Sequence, residues 1–524
     1  MRDLRRDGTQ IFGAGVDAVR GDQLIRDCVR LDDQHLWLGT TGIPRDAFDR
    51  LIVVGAGKAS GAMAVGLVQA LSQPAGGAEV GDSTSCSSVD AMTRKFRSMS
   101  SPSHSSPSPR VAHPCRGEGG DRRFEIIGQV NVPAGGESVP EGLDWPADLR
   151  LFPARPASIN EPTTAAIVGT DRILELANAA GDRDLVIALI SGGGSALLCR
   201  PVAGVTLDEK LAVIRRLSSH GASITELNTV RKHLSEVKGG GLARAATAAT
   251  LVTLVLSDVL GDPLDLIASG PTVPDRSSAD DALQLLAKFD PDRQLPAAVY
   301  QALTARQAAS RSELVVDRAA VRITARGADR GMESPIIVLG NNAVAVDAAG
   351  VVASSIGYVP DTQSSRCGEG LAETVGEELA ERVLTMLRNH DVSDAPRAVV
   401  TGGEPVVRLA DDAIRGRGGR NQQLVLAAYR WLLQAGVTTD QWQRLLILSG
   451  GTDGEDGPTD AAGAFIDGAV HDRALELGLA PDEFLRCNNA YAFFEQAGGL
   501  LITGPTGTNV CDLRVALVMR STEQ

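Results

Sequence analysis

Eight short glycine-rich runs, each set against an apolar segment, constrain this chain more than anything else in it. They are Val54-Gly-Ala-Gly-Lys-Ala59, Ile190-Ser-Gly-Gly-Gly-Ser-Ala-Leu197, Lys238-Gly-Gly-Gly-Leu242, Gly261-Asp-Pro263, Ser269-Gly-Pro-Thr272, Gly416-Arg-Gly-Gly-Arg-Asn421, Ser449-Gly-Gly-Thr-Asp-Gly454 and Gly504-Pro-Thr-Gly-Thr-Asn509. Glycine reaches positive φ and lets a ligand approach bare backbone. Where such a run follows an apolar strand and opens a helix, its N–H groups and the helix dipole favour an anion, phosphate above all. The pattern predicts an enzyme for phosphorylated ligands.

A chain of 524 residues exceeds one hydrophobic core and predicts two domains. With 51 Lys+Arg against 65 Asp+Glu, the net charge of −14 disfavours nucleic acid and anionic lipid and leaves small molecules as partners. The N-terminal 21 residues are punctuated by arginines and aspartates, so neither a secretion signal nor an anchor is expected there. No apolar stretch approaches the ~18 residues of a membrane span. The cytoplasm is the expected compartment, and a homo-oligomer is compatible with the sequence. Seven cysteines, an odd number without a C-x-x-C pair, read as reduced thiols. The seven histidines lack zinc spacing, which leaves Mg²⁺ on carboxylates and substrate phosphates as the expected metal.

Along the chain, Leu51 to Val54 and the helical periodicity from Ala59 to Leu71 form a βα unit. The stretch from about 72 to 123 breaks this pattern. Ser83 to Ser108 holds eleven serines in 26 residues and almost nothing to bury, a composition that predicts a disordered surface insertion. Order resumes at Phe124. A helix over Thr163 to Ala180, a strand over Leu185 to Ile190, helices over Leu207 to Ser218 and Thr225 to Leu234, and a strand over Thr250 to Leu256 alternate as in a parallel α/β sheet. The polar, arginine-rich end of the segment from Asp290 to Arg330 marks the boundary. Residues 1–330 are expected as one domain and 331–524 as a second α/β domain, opened by the strand at Ser334 to Gly340 and continued by strands at Ala398 to Thr401 and Leu445 to Leu448.

Several motifs bear on chemistry. Gly55-Ala-Gly-Lys-Ala-Ser60 is not a Walker A loop: the first glycine would fall on Ile52, and Ala59 follows the lysine. Lys58 nevertheless stands at a helix start, where a cation is unfavourable unless an anion is bound. Ser191, Gly192, Gly193, Gly194 and Ser195 supply more donors than a tight turn requires. Asp258 and Asp262 follow one strand, and Asp453, Glu455 and Asp456 follow another, where carboxylates can hold Mg²⁺ or accept a hydroxyl proton. Asx turns are the competing reading for these aspartates. Arg417 and Arg420 open a helix, where arginine can fork onto phosphate or carboxylate.

In this order the segments resemble the glycerate kinases of the two-domain type whose C-terminal half is called the MOFRL domain. The likeness runs through Ala154-Arg-Pro-Ala-Ser-Ile-Asn-Glu-Pro-Thr163, Glu226-Leu-Asn-Thr-Val-Arg-Lys-His-Leu-Ser235 and Thr401-Gly-Gly-Glu-Pro405 as well as the glycine runs. It implies a large Rossmann-like parallel-sheet N-terminal domain, a smaller α/β C-terminal domain, and transfer of the ATP γ-phosphoryl group to D-glycerate with Mg²⁺. It further implies Lys58, Arg420 and Asp453 as catalytic residues, and the Ser191 to Ser195 loop, Gly239, Gly240 and Asp258 around the nucleotide. Asn160, Glu161, Glu404 and Asn421 would then lie near glycerate, and Asp258 and Asp453 near Mg²⁺. Residues 72 to 123 match nothing in the family pattern.

Two other functions compete. A hydroxypyruvate oxidoreductase would need G-x-G-x-x-G and a following acidic residue, yet Gly55, Gly57 and Gly61 leave Ser60 in the third glycine's place. A non-catalytic sugar-phosphate sensor would need the glycine walls but not Asp453 or Arg420. As loop cations, Lys58 and Arg420 are expected to affect turnover without affecting melting. If the serine-rich tract contributes no core, replacing residues 76 to 122 with a short Gly/Ser bridge leaves melting temperature and turnover nearly unchanged. A large fall in either, by calorimetry or assay, would show that the tract is structured.

Overall fold

The computed structural model describes residues 3–72, 124–156, 161–246, 249–320, 334–389 and 395–520. The serine-rich tract and Asn160 lie outside these residues. A small antiparallel sheet of β1 (Val29–Leu31), β2 (His35–Leu38) and β3 (Thr41–Pro44) precedes the first large sheet. That sheet contains β4 (Arg50–Ala56), β5 (Glu125–Pro133), β6 (Leu149–Arg155), β7 (Asp184–Ser191), β8 (Thr250–Leu256) and β9 (Ile336–Gly340). Its order is β6-β5-β4-β7-β8-β9, every pair parallel.

Side-chain alternation explains why these apolar runs lie flat between two helical layers. Leu51 and Val53 of β4, with Leu185, Ile187 and Leu189 of β7, pack on one face against Met63, Leu67 and Val68 of the helix Ser60–Ser72. Ile52 and Val54, with Val186, Ala188 and Ile190, pack on the other against Ala166, Ile173 and Leu176 of the helix Thr164–Asn178. A strand buried on both faces must be apolar at every position, and β7 is buried throughout. The helices Leu207–Ser219, Ile224–His233 and Ala279–Phe289 form a separate apolar cluster around Leu217, Val230 and Leu286.

The second large sheet contains β10 (Val359–Ser364), β11 (Arg397–Gly403), β12 (Leu445–Gly451), β13 (Gly463–Asp467), β14 (Leu500–Leu501) and β15 (Asp512–Val518). It runs β10-β11-β15-β12-β13-β14, with only β10 and β11 parallel.

Two placements differ from the division at residue 330. β9, expected to open the second domain, pairs with β8 and forms the edge of the first sheet. The N-terminal helix Leu4–Asp17 packs on the second sheet, burying Ile11, Phe12 and Val16 in its core. Arg5 clamps this helix with a two-pronged ion pair to Asp467, 462 residues away. The apolar stripe of the helix finds its partner surface there and the chain then crosses to the first sheet. Phe12→Ala should therefore destabilise the fold by ~3–5 kcal/mol, the cost of removing a buried aromatic ring. Denaturant unfolding would read this, and a loss under about 1 kcal/mol would place the helix outside the core.

Candidate active site

At the centre of the first sheet, β4 and β7 lie side by side while their chains continue in opposite directions, to β5 and to β8. Ligands of open parallel sheets bind at such a switch point, beyond the carboxyl ends of the strands. The two loops leaving these strands are tied together. The Lys58 N–H donates to Gly192 O at 2.8 Å, and the Ala59 N–H donates to Ser191 Oγ at 3.0 Å. Gly193 is left-handed, φ 74°. A Cβ there would lie 3.3 Å from Lys58 Cγ and 3.6 Å from an Arg155 Nη, and one on Gly192 would collide with the Asp258 carboxylate. The ends of β4, β6, β7 and β8 thus converge on one glycine loop.

The second sheet delivers the rest from its own strand ends. Beyond β12, Asp453 and Glu455 accept from Lys58 Nζ at 2.8 and 2.6 Å. Burial opposes the Lys58 charge, but these two carboxylates outweigh it and raise the ammonium above its usual range. At the start of the helix Arg420–Gln434, Arg420 forks onto Asp512 at the head of β15 through Nε (2.7 Å) and Nη2 (2.9 Å). Its Nη1 donates to Glu404, beyond β11, at 2.7 Å. Burial works against this guanidinium too, and Asp512 and Glu404 overcome it. Asp258 is half-buried, accepts the Gly193 N–H and is paired with no cation among the described residues. Burial, aided by the Glu404 charge, lifts its carboxyl to about 7.

The remaining expected residues divide. Ser195 is held from below by Lys238, whose Nζ lies 2.8 Å from both Ser195 O and Ser195 Oγ. Burial and the nearby Lys210 depress this amine well below its usual range. Gly239 and Gly240 direct their N–H groups to Ser269 O and Gly270 O, so they brace a neighbouring loop and do not face a nucleotide. Asn421 is buried, taking a hydrogen bond from Ser449 Oγ and donating to Asp456, so it shapes the helix start from within. Glu161 forms an exposed ion pair with Arg215. Sequence reasoning missed Arg155, Lys238 and Asp512. For Arg155 the available signal was its place in the motif from Ala154 to Thr163. For Asp512 it was an acid at the head of an apolar strand, directly after a glycine run.

No described group of three His, Cys, Asp or Glu side chains is arranged as a metal site. Mg²⁺ needs only one or two carboxylates beside substrate phosphates. Asp258, a half-buried acid with no cation beside it among the described residues, fits that requirement.

Family models match the chain over most of its length: a domain of unknown function, DUF4147, over residues 7–114 and 126–304, and the MOFRL family over residues 397–512. The D-glycerate 2-kinase of Thermotoga maritima is 37% identical over 360 residues, covering 68% of this chain and 78% of that protein. The chain belongs to the MOFRL-type glycerate kinase family. A crystal structure of a Thermotoga maritima glycerate kinase superposes with a TM-score of 0.67 at 30% identity, covering 97% of this chain and 98% of the other. A putative hydroxypyruvate reductase of Agrobacterium vitis is 36% identical over 393 residues, 74% of this chain and 92% of that protein. The likeness of fold thus extends over nearly the whole of both chains.

Within this glycerate kinase fold, Arg420 is no simple loop cation. Its partner Asp512 has no exposed side-chain surface, and breaking a buried pair from one side costs ~3–5 kcal/mol. Arg420→Ala should therefore lower both melting temperature and turnover. Adding Asp512→Asn should restore much of the melting temperature and none of the turnover. Recovery of both together would leave Arg420 with a folding role alone.

Asp456 supplies a pH test. Its carboxylate accepts the Asn421 and Gln422 N–H groups at the helix start, and burial raises its carboxyl from 3.8 to about 7. The native chain binds this proton more tightly than the unfolded chain does. Stability therefore falls as pH rises from about 4 to about 7, with no further loss from this group above that. Over that window the melting temperature of Asp456→Asn should gain on the wild type. A difference independent of pH would contradict the assignment.

Proposed function

We propose that the cleft transfers the γ-phosphoryl group of ATP to D-glycerate in the cytosol, releasing 2-phosphoglycerate and ADP. The observation that carries this reading is the meeting of Lys58, from the first sheet, with the acidic loop of the second sheet beside the Gly192–Gly194 turn. Similarity to the D-glycerate 2-kinase of Thermotoga maritima supports the choice of the 2-hydroxyl.

Phosphoryl transfer needs little covalent help from protein and much charge placement. The loop from Ser191 to Ser195 lies where the polyphosphate would rest. Lys58 is placed to neutralise the equatorial oxygens of the transferring group. Arg420 bears on the same charge or on the glycerate carboxylate, with Glu404 beside it to order the acceptor. The glycerate hydroxyl oxygen bonds to γ-phosphorus as the bond to the β-phosphate oxygen breaks. Its proton passes to Asp453, which must first release Lys58. Mg²⁺, when bound with the nucleotide, supplies charge neutralisation, and Asp258 with Asp453 would hold it.

The reductase reading lacks support in the β4 loop, where Ser60 takes the place of the third glycine, which a dinucleotide fingerprint uses for close helix–strand packing. Coupled assays separate the two. With ATP, Mg²⁺ and D-glycerate, ADP should form in proportion to glycerate consumed, and NADH with hydroxypyruvate should give no oxidation above background. NADH oxidation without ADP formation would overturn the kinase reading.

A further inference from the structure

Arg155 closes β6 and is almost fully buried, yet it reaches the face of the glycine loop. Lys58 and Arg155 both approach Gly193: a Cβ there would lie 3.3 Å from Lys58 Cγ and 3.6 Å from an Arg155 Nη. Burial lowers the Arg155 guanidinium, while the charges of Glu455 and Asp453, the two acids bound to Lys58, oppose that from a distance. The acids are not held alike. Asp453 is largely covered, and its second oxygen takes the Glu455 N–H at 3.0 Å, which fixes it to its own loop. The Glu455 side chain is 41% exposed, and Lys58 Nζ makes its only side-chain hydrogen bond among the described residues.

We propose that Arg155 contacts the substrate: with Lys58 it forms a seat for a phosphate oxyanion beside Gly193, and the Glu455 carboxylate stands in that seat until the nucleotide displaces it. This assignment rests on the phosphoryl-transfer reading and extends it. A carboxylate and a phosphate oxygen make the same charge-assisted bonds to lysine and arginine. The Glu455 carboxylate binds Lys58 directly and, on a partly exposed loop side chain, can swing into solvent at little cost. Glu455 therefore competes with the ligand. Removing its charge should strengthen phosphate binding, whereas removing Arg155 should weaken it.

The test is calorimetric titration of inorganic tripolyphosphate into the wild type, Arg155→Met, Arg155→Lys and Glu455→Gln. This binding does not depend on glycerate turnover, so a protein that fails to phosphorylate glycerate would refute the proposed function without touching the seat. Arg155→Met should weaken tripolyphosphate by about tenfold or more, the scale of one charge-assisted hydrogen bond, and Arg155→Lys should recover part of the loss. Glu455→Gln, at an exposed side chain, should tighten binding by about threefold or more. In steady state the KM for ATP should rise in Arg155→Met, with the KM for glycerate unchanged. A dissociation constant for Arg155→Met within about twofold of wild type would overturn the proposal. So would unchanged or weaker binding by Glu455→Gln, or a rise confined to the KM for glycerate. Should Arg155→Met fail to fold, the Glu455→Gln titration decides alone.

Discussion

The Lys58 ammonium, gripped by Asp453 and Glu455, is the interaction around which both halves of the cleft are organised. Lys58 is fixed by its backbone bond to Gly192, so its position is set by the switch point of the first sheet. Its partners come from a loop of the second. The first sheet contributes the Lys58 ammonium, and the second contributes the two carboxylates that bind it. Left unpaired, such charges are costly in a partly buried space, and bringing the two sheets together pairs them. The cleft is therefore held by the very groups expected to act on an anionic ligand, and ligand binding must exchange one set of ion pairs for another.

The same coupling recurs at Arg420. Its bidentate bond to the buried Asp512 orients the guanidinium far better than a solvated loop could, at the cost of making Arg420 part of the fold. Lys238 does comparable work beneath Ser195, although among the described residues it meets no carboxylate and gives its hydrogen bonds to a carbonyl and a hydroxyl. Asp456 fixes the first turn of the helix that carries Arg420. At Lys58 and Arg420 the paired carboxylates outweigh the cost of burial, whereas at Lys238 and Asp456 burial prevails over the hydrogen bonds and favours the neutral form.

What the sequence disclosed follows from the range of the interactions involved. β4, β7 and β8 are legible because a strand buried on both faces has to be apolar from end to end, and the turns beyond them because only glycine fits the left-handed or crowded backbone there. β9 reads as the start of a new unit because Ile336 to Leu339, following a polar stretch, carry no mark of the neighbour they pair with. That neighbour, β8, is distant in the chain, as is the sheet that receives the N-terminal helix. At the site, glycine runs report backbone shape but not where N–H groups point, which is why Gly239 and Gly240 resembled phosphate donors while bonding to Ser269 and Gly270. Arg155 and Asp512 acquire meaning only through partners on other strands. Asn421 had the right motif and the wrong side of the surface: its amide is consumed inside.

The proposed transfer to the 2-hydroxyl makes a definite demand on the product. Phosphorus-31 NMR of a reaction containing the full chain, ATP, Mg²⁺ and D-glycerate measures it most directly, because phosphate on a secondary and on a primary carbon gives distinct resonances. A single new phosphomonoester signal matching 2-phosphoglycerate, growing with that of ADP, is the predicted result. Loss of ATP signal without a phosphoglycerate, or a product matching 3-phosphoglycerate, would contradict it.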